Sequence, residues 1–216
     1  MTLKEQTQQL RDSVLTRMPQ AIVQTFKNDI QQLKTDQLKQ KALQVGDLLP
    51  NSTLLDYQGN PYQIKELITS EYLILNFYRG GWCPYCNMEL RAYQDLADTF
   101  KNIHASIVAI SAESPDIASV TAHKNNITFP VLTDRDSQFM KAIGIVFTLS
   151  DAAKKDYANF GIDLQKLHGN TSFELPVPAV YVVNKELEIV FVHFEEDYMT
   201  RLEPKKLVNI LKNNTK

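Results

Sequence analysis

Residues 72–92 have the sequence YLILNFYRGGWCPYCNMELRA and form the stretch around which the fold is predicted. The apolar run at 72–78 predicts a buried strand, the Gly-Gly pair at 80–81 predicts a turn, and the segment that follows predicts a helix. Cys83 and Cys86 are the two cysteines of the 216-residue chain, and both lie where the strand gives way to the helix. A Cys-x-x-Cys pair in this setting is typical of a redox site.

The composition fits one globular domain with a substantial core, since 44% of the residues are hydrophobic and 22% are charged. Lys and Arg number 23 and Asp and Glu number 25, for a formal charge of −2. No dense basic cluster is present, so neither nucleic acid nor an anionic membrane surface is favoured as a partner. The N-terminal segment is polar, and the longest apolar run falls far short of the roughly 20 residues of a membrane span. We therefore expect a cytoplasmic protein, in which paired cysteines are more often catalytic or metal-binding than structural.

Residues 1–45 predict a helical extension without strands. Apolar residues repeat at helical spacing before and after Pro19, which predicts a break between two helices or the first turn of the second. Gln and Lys fill the opposite face. The apolar stripe must pack on the main domain, predicted at 46–216, or on a partner such as a second copy in a homodimer.

The remaining pattern predicts an α/β fold, a mixed central sheet flanked by helices and preceded by a hairpin. Strands are predicted at 52–57, 62–64, 72–78, 106–111, 129–132, 179–183 and 189–194, and helices at 84–101, 115–124, 137–143, 151–157 and 204–212. The strand–helix–strand units require parallel neighbours, whereas the last two strands, joined by a short turn, must be antiparallel. Together with a Cys-x-x-Cys after an early strand, this order predicts the thioredoxin fold.

The two cysteines are predicted to have different roles. Cys83 directly precedes the helix, where unpaired backbone N–H groups and the positive end of the helix dipole favour an anion. Pro84 suits the first helical position, and Arg79 adds positive charge from the turn. Because the thiolate is the reactive form, Cys83 is predicted to be the nucleophile. Cys86 is then the resolving thiol, which attacks a mixed disulfide or a sulfenic acid on Cys83.

Two structural alternatives concern the same cysteines. A Cys83–Cys86 disulfide closes so short a loop that it would constrain the unfolded chain little. A zinc site would need further ligands, and the histidines show no finger-like spacing: His104, His123, His168 and His193. A third alternative, two ordinary thiols without a role, does not account for a Cys-Pro-x-Cys at a helix start.

Residues near the cysteines are further candidates. Trp82 and Tyr85 flank the thiols and would either form an apolar lip for a substrate or pack on neighbouring loops. Glu113 and Asp116 follow the strand at 106–111 and so lie at the same edge of the sheet as the cysteines. Asp116 suits the first turn of a helix, and a proton-transfer role is an alternative for Glu113.

Five segments of the chain, taken in order, resemble the AhpC/TSA branch of the peroxiredoxin superfamily. They are GDLLPNSTLLDYQGN (46–60), LILNFYRGGWCPYC (73–86), IVAISAESPD (107–116), FPVLTDRDSQFMKAIGI (129–145) and VPAVYVV (177–183). The helical extension and the RGGWCPYC variant resemble the peroxiredoxin-like members rather than the typical enzymes.

The resemblance implies a thiol peroxidase without a cofactor or a metal. Cys83 stands in the place of the peroxidatic cysteine and is followed by the family's proline at Pro84. Its thiolate would attack hydrogen peroxide or an organic hydroperoxide, Cys86 would condense with the sulfenic acid, and a thioredoxin-, glutaredoxin- or glutathione-type donor would reduce the disulfide. The Val177–Pro178 bond resembles the cis-proline loop that faces the active-site cysteine in thioredoxin-fold proteins.

Two departures from the family pattern leave other functions open. Gly80 stands where typical peroxiredoxins have Thr or Ser, and Pro178 lies near the position where they have an arginine before a late strand. In those enzymes the hydroxyl and the arginine bind the peroxide oxygens. Arg79 and Arg135 are candidates to substitute. A thioredoxin-like disulfide reductase or isomerase using the same cysteines is the second hypothesis, although Asn76 stands where thioredoxins carry a buried acid. A redox-responsive binding module that uses the N-terminal helices is the third.

Overall fold

A computed structural model describes residues 1–214 of the chain. Its α-helices are α1 (Leu3–Arg17), α2 (Gln20–Thr35), α3 (Leu38–Lys41), α4 (Pro84–Gln94), α5 (Ala97–Asn102), α6 (Pro115–Lys124), α7 (Gln138–Ile143), α8 (Asp151–Asn159), α9 (Leu164–His168) and α10 (Pro204–Asn214). Its strands are β1 (Thr53–Asp56), β2 (Pro61–Gln63), β3 (Tyr72–Phe77), β4 (Ala105–Ser111), β5 (Val131–Thr133), β6 (Val146–Thr148), β7 (Glu174–Pro176), β8 (Ala179–Val183) and β9 (Ile189–Phe194). A short 3-10 helix spans Ile64–Leu67.

Seven strands form one sheet in the order β2-β1-β5-β4-β3-β8-β9. β3, β4 and β5 are mutually parallel, whereas β8 is antiparallel to both β3 and β9. The β1–β2 hairpin extends this sheet, because β1 pairs antiparallel with β5. The predicted mixed sheet with an N-terminal hairpin is confirmed.

The strand β3 lies at the centre of the sheet and is covered on both faces. Leu73, Leu75 and Phe77 belong to the apolar cluster that includes α7, and Ile74 belongs to the cluster on the other face, which includes residues of α4 and α10. Because successive side chains of a strand point to opposite faces, burial of both faces requires an almost continuous apolar run. The strand is therefore a rigid support for the turn that follows it.

The predicted helix at 84–101 is wrong in one respect, because it consists of two helices. α4 ends at Gln94 and α5 begins at Ala97. At the break, the Leu96 N–H donates to the Tyr93 carbonyl at 3.1 Å. This bond spans three residues, as in a 3-10 turn, whereas the bonds of an α-helix span four. Periodicity alone does not detect such a local tightening.

Two further differences lie after β4. The strand predicted at 129–132 is displaced to Val131–Thr133, because Pro130 has no N–H to donate and only its carbonyl bonds to β4, accepting from the Ala109 N–H at 3.0 Å. The segment 148–172, where the sequence predicts one helix, contains α8 and also the short helix α9. β6 and β7, which flank this segment, form a separate two-stranded sheet.

The N-terminal helices pack on the rest of the chain. α1 contacts α4, and α2 contacts α8. Leu10 joins the apolar cluster around Cys83, and Arg11 Nη1 lies 3.0 Å from Asp197 Oδ2. Pro19 caps α2 at the predicted break. The division of the chain at residue 45 into extension and domain stays a prediction. Within the described residues, no helix has the length and apolar character needed to cross a bilayer.

Candidate active site

The turn after β3 places Cys83 at the start of α4. Cys83 is the N-cap residue and Pro84 the first helical residue, as predicted. The Cys83 N–H donates to the Gly80 carbonyl at 3.0 Å, and the Cys83 carbonyl accepts from the Asn87 N–H at 3.1 Å. These two bonds join the turn to the helix, so the backbone at Cys83 is fixed from both sides.

Both glycines of this turn are required by their surroundings. Gly80 has a φ of 144°, and a Cβ on this residue would lie 2.4 Å from Trp82 Nε1. A Cβ on Gly81 would lie 2.2 Å from Thr121 Oγ1. The absence of a hydroxyl at Gly80 is therefore a consequence of close packing, since a side chain there would displace Trp82.

A buried carboxylate holds the turn in place. Glu113 accepts hydrogen bonds from the Gly81 N–H at 2.8 Å, the Tyr78 hydroxyl at 3.0 Å and the Thr121 hydroxyl at 3.0 and 3.2 Å. Burial raises the pKa of Glu113, while these donors act in the opposite direction. Its oxygens are used by the turn, which favours a positioning role over the proton transfer considered from the sequence.

Arg79 is buried in an aromatic cage. Its guanidinium carbon lies 4.3, 4.8 and 5.5 Å from the ring centroids of Tyr198, Trp82 and Tyr157, and its Nη2 donates to the Tyr157 hydroxyl. Rings of this kind stabilise a cation that has lost its water. Of the two arginines considered from the sequence, Arg79 is the one at the cysteines. Arg135 is exposed and donates to the Gly169 carbonyl at 3.4 Å.

Cys83 is a free thiol with only 2% of its surface exposed. Burial on its own raises the pKa of this thiol. The thiol and backbone N–H of Cys86 and the charges of Arg79 and Arg201 outweigh that effect, and they lower the pKa of Cys83 to about 6. Cys83 is therefore largely a thiolate at neutral pH, as expected for a nucleophile.

Cys86 has the opposite character. It is a free thiol, fully buried, and its pKa is raised by burial and by the neighbouring Cys83. Its Sγ accepts a hydrogen bond from Arg201 Nη2 at 3.4 Å. At neutral pH it holds its proton, so it must lose that proton before it can attack Cys83. The predicted asymmetry of the pair has a physical basis in this contrast.

Glu89 and Arg201 complete the surroundings of Cys86. Arg201 Nε lies 2.8 Å from Glu89 Oε2, and both side chains are almost fully buried. Burial raises the pKa of Glu89 to about 8, although Arg201 acts to lower it. A carboxyl group with this pKa gains and loses a proton near neutral pH. Its place three residues after Cys86 puts both side chains on one face of α4.

The other predicted site residues have mixed outcomes. Trp82 and Tyr85 pack on neighbouring rings, Trp82 on Tyr157 at 5.3 Å and Tyr85 on Tyr198 at 6.3 Å between centroids. Pro178 directly precedes β8, whose Ala179 pairs with the last residue of β3, so it lies at the same edge as the turn. The Val177–Pro178 bond is trans, so the likeness to a cis-proline loop is wrong.

Four residues of the site were not predicted from the sequence: Glu89, Arg201, Tyr157 and Tyr198. Glu89 was detectable, because an acidic residue three positions after a cysteine in a helix lies beside it. The other three come from α8 and from the loop after β9, which lie far from Cys83 along the chain. Only the tertiary fold places them there. Among the described residues, no group of three or more His, Cys, Asp or Glu side chains is arranged to hold a metal ion.

The pKa of Cys83 predicts the pH dependence of its alkylation. We expect the rate with iodoacetamide to rise through about pH 6 and to level off by about pH 7, because the thiolate is then fully formed. An ordinary cysteine, with a pKa near 8.5, would still be gaining reactivity above pH 8. Mass spectrometry of the alkylated peptide gives the rate. A midpoint above pH 8 would contradict the arrangement described here.

Comparison with curated proteins identifies two kinds of relative. Thiol-disulfide oxidoreductase ResA of Bacillus thuringiensis subsp. konkukian is 28% identical over 109 residues, which are 50% of this chain and 62% of the relative. Peroxiredoxin Bcp of Escherichia coli is 25% identical over 103 residues, 48% of this chain and 65% of the relative. These matches span less than two thirds of the relatives' own lengths.

Solved structures of peroxiredoxins share the fold, and a family model matches most of the chain. Peroxidoxin BcpB from Mycobacterium tuberculosis superposes with a TM-score of 0.64 at 20% identity, over 79% of this chain and 97% of that one. A mutant of PrxQ from Xylella fastidiosa gives 0.63 at 18% identity, over 81% and 98%. The AhpC/TSA family model matches residues 45–192. The chain therefore belongs to the AhpC/TSA family.

Proposed function

We propose that the protein is a thiol-dependent peroxidase that reduces hydrogen peroxide or organic hydroperoxides through the thiolate of Cys83. The observation that carries this proposal is a low-pKa thiol that is buried beside Arg79. An attacking sulfur must come into bonding contact with its target. A sulfur with 2% exposure admits a small O–O group more readily than the disulfide of a folded protein. Membership of the AhpC/TSA family supports the same reaction.

In the first step, the Cys83 thiolate attacks one oxygen of the peroxide and the O–O bond breaks. The sulfur gains an oxygen and becomes a sulfenic acid, and the other oxygen leaves as hydroxide or alkoxide and takes up a proton to form water or an alcohol. Negative charge moves from the sulfur to the leaving oxygen. We assign the stabilisation of this charge to Arg79, one of the two arginines that the sequence offered for this role, because its charge acts on Cys83 more strongly than that of Arg201.

In the second step, Cys86 attacks the sulfur of the Cys83 sulfenic acid. A disulfide forms, and the hydroxyl group leaves as water once it has received a proton. Because the pKa of Cys86 is raised, this step needs a base. Glu89 has a pKa of about 8 and contacts Arg201, which in turn contacts Cys86. We assign the role of proton acceptor to its ionised form, a minor fraction at pH 7 that grows as the pH rises.

Recycling requires two electrons and two protons from an external thiol. A thioredoxin-, glutaredoxin- or glutathione-type donor would attack the disulfide and leave Cys83 and Cys86 reduced. The donor must reach a sulfur, so we expect the first turn of α4 to open in the disulfide form.

A second candidate is a thiol-disulfide oxidoreductase that uses the same two cysteines. The contrast between the lowered pKa of Cys83 and the raised pKa of Cys86 suits disulfide exchange as well as peroxide reduction. The likeness to the ResA proteins of Bacillus supports it. In this reaction Cys83 would attack a substrate disulfide, and Cys86 would release the reduced substrate by attacking the mixed disulfide.

A direct comparison of the two substrates tests the proposal. Reduced protein is mixed with an equimolar amount of one of two peroxides, hydrogen peroxide or cumene hydroperoxide, or of one of two disulfides, oxidised glutathione or insulin. Oxidation is followed through the fluorescence of Trp82, the single tryptophan, which lies next to Arg79. The proposal expects a peroxide to react at least tenfold faster than either disulfide and to leave a product two mass units lighter. The reverse order of rates would select the disulfide oxidoreductase.

Replacing Glu89 by glutamine tests the second step. The amide has the same size but accepts no proton, so we expect disulfide formation to slow by roughly 10²-fold, while oxidation of Cys83 changes by less than about twofold. Quenched samples trapped with dimedone separate the sulfenic acid from the disulfide by mass. Asp134→Asn is the matched control, because Asp134 is also a buried carboxyl group but bonds to the backbone of α7. Equal disulfide rates in both variants would remove Glu89 from the mechanism.

A further inference from the structure

A groove between the N-terminal helices has no role in the redox chemistry described above. It is formed by α1, α2 and the loop after β9, and its volume is about 320 Å³. Pockets of this size hold small organic ligands. Its walls are mainly apolar side chains from the two helices and from Met18 between them: Val14, Leu15, Met18, Val23, Phe26 and Ile30.

The rim of the groove carries excess positive charge. Lys27 and Lys34 line it from α2 and are both exposed, and they lie seven residues apart on the same helix face as Ile30. The third cation, Arg11, is already paired with Asp197, the acidic residue of the lining. Neither lysine has an acidic partner among the ion pairs of the described residues. An apolar wall beside two unpaired cations suits a ligand with a hydrocarbon body and an anionic end.

The inner end of the groove borders the redox centre. Tyr198 lines the groove, and its ring also lies 4.3 Å from the guanidinium carbon of Arg79 and 6.3 Å from the ring of Tyr85. A ligand in the groove would therefore contact a ring that belongs to the cage around Arg79.

We propose that this groove is a binding site for a fatty acyl carboxylate. The hydrocarbon chain lies between α1 and α2, and the carboxylate lies at Lys27 and Lys34. A nucleotide or a free phosphate fits less well, because the walls offer aliphatic and aromatic side chains rather than converging hydrogen-bond donors. The N-terminal extension thus acquires a function of its own, which is separate from the chemistry of the thiols.

A fluorescence titration of the whole protein with cis-parinaric acid, an 18-carbon carboxylate, tests this site. We expect saturable emission that dodecanoic acid displaces, and roughly tenfold weaker displacement by methyl dodecanoate, which lacks the charge. Lys27→Glu combined with Lys34→Glu should weaken binding of the acid by about tenfold or more and leave displacement by the ester unchanged. Lys65→Glu combined with Lys101→Glu is the control, because both lysines are exposed and lie outside the groove.

Two results would overturn the proposal. The first is equal affinity for acid and ester, or a double variant that binds the acid as well as the wild type does. The second is absence of saturable probe binding; a dimer in sedimentation that the Lys27 and Lys34 substitutions dissociate would then identify a second copy of the chain as the occupant. Cys83→Ser should bind the probe normally, so failure of the peroxidase proposal and failure of this one remain distinguishable.

Discussion

Replacing Cys83 by serine is expected to abolish peroxide consumption, with a loss on the order of 10³-fold or more. The lowered pKa that makes Cys83 reactive depends on a sulfur atom, and a serine hydroxyl at the same place does not ionise near neutral pH. The measurement is peroxide loss under single-turnover conditions with pre-reduced protein. Circular dichroism should show an unchanged fold, because serine is small enough for the buried N-cap position.

Cys86→Ser is the matched variant for this experiment. It retains the nucleophile, so we expect one equivalent of peroxide to be consumed at close to the wild-type rate. The product should be a sulfenic acid on Cys83 that dimedone traps, whereas wild type should give the intramolecular disulfide. Sulfenic acid on Cys86 in the Cys83→Ser protein, with full peroxide consumption, would reverse the two roles.

Arg79→Met is expected to have the second largest effect, a decrease of roughly 10²-fold in the rate of Cys83 oxidation at pH 7. Loss of the buried cation should raise the pKa of Cys83 from about 6 by about 2 pH units, which lowers the thiolate fraction at pH 7 by about tenfold. Loss of the charge that stabilises the leaving oxygen accounts for the remainder. Because Cys83 titrates as an acid, the first part of the defect should disappear as the pH rises above the new pKa, and the second should persist.

The control for this variant is Arg135→Met, which removes the exposed arginine that the sequence offered as an alternative. We expect its oxidation rate and pH midpoint to match those of the wild type within about twofold. Stopped-flow traces between pH 5 and 9.5 give both quantities. If Arg79→Met kept the wild-type midpoint, the buried guanidinium would not be what holds the pKa of Cys83 low.

The buried acid near Cys86 lies on a helix and not on the strand where thioredoxins carry theirs. Asn76 on β3, which the resemblance aligns with the thioredoxin acid, has a fully buried side chain without a described hydrogen-bond partner. Glu89 on α4 instead supplies a carboxyl group near Cys86. A proton acceptor is needed wherever the second cysteine has a raised pKa, and a helix position three residues on serves as well as a strand position.

The central fold and the N-cap position of Cys83 could be predicted from local sequence. The apolar run of β3, the Gly-Gly turn and Pro84 specify a buried strand followed directly by a helix, and the N-cap position of Cys83 follows from that local order. The order of the AhpC/TSA segments likewise identified the family that the comparisons established. These features depend on residues that are close together in the chain, so patterns of spacing and turn chemistry are enough to find them.

The surroundings of the two sulfurs depend on contacts between distant parts of the chain. Arg201 and Tyr198 follow β9, and Tyr157 lies on α8, so their distances from Cys83 depend on how the sheet and the loops fold together. The trans bond before Pro178 and the packing that requires Gly80 also depend on neighbours distant in the chain. A pKa is set by burial and by charges within a few ångströms, and the sequence does not contain those distances. The reactivity of Cys83 is therefore a property of the folded chain.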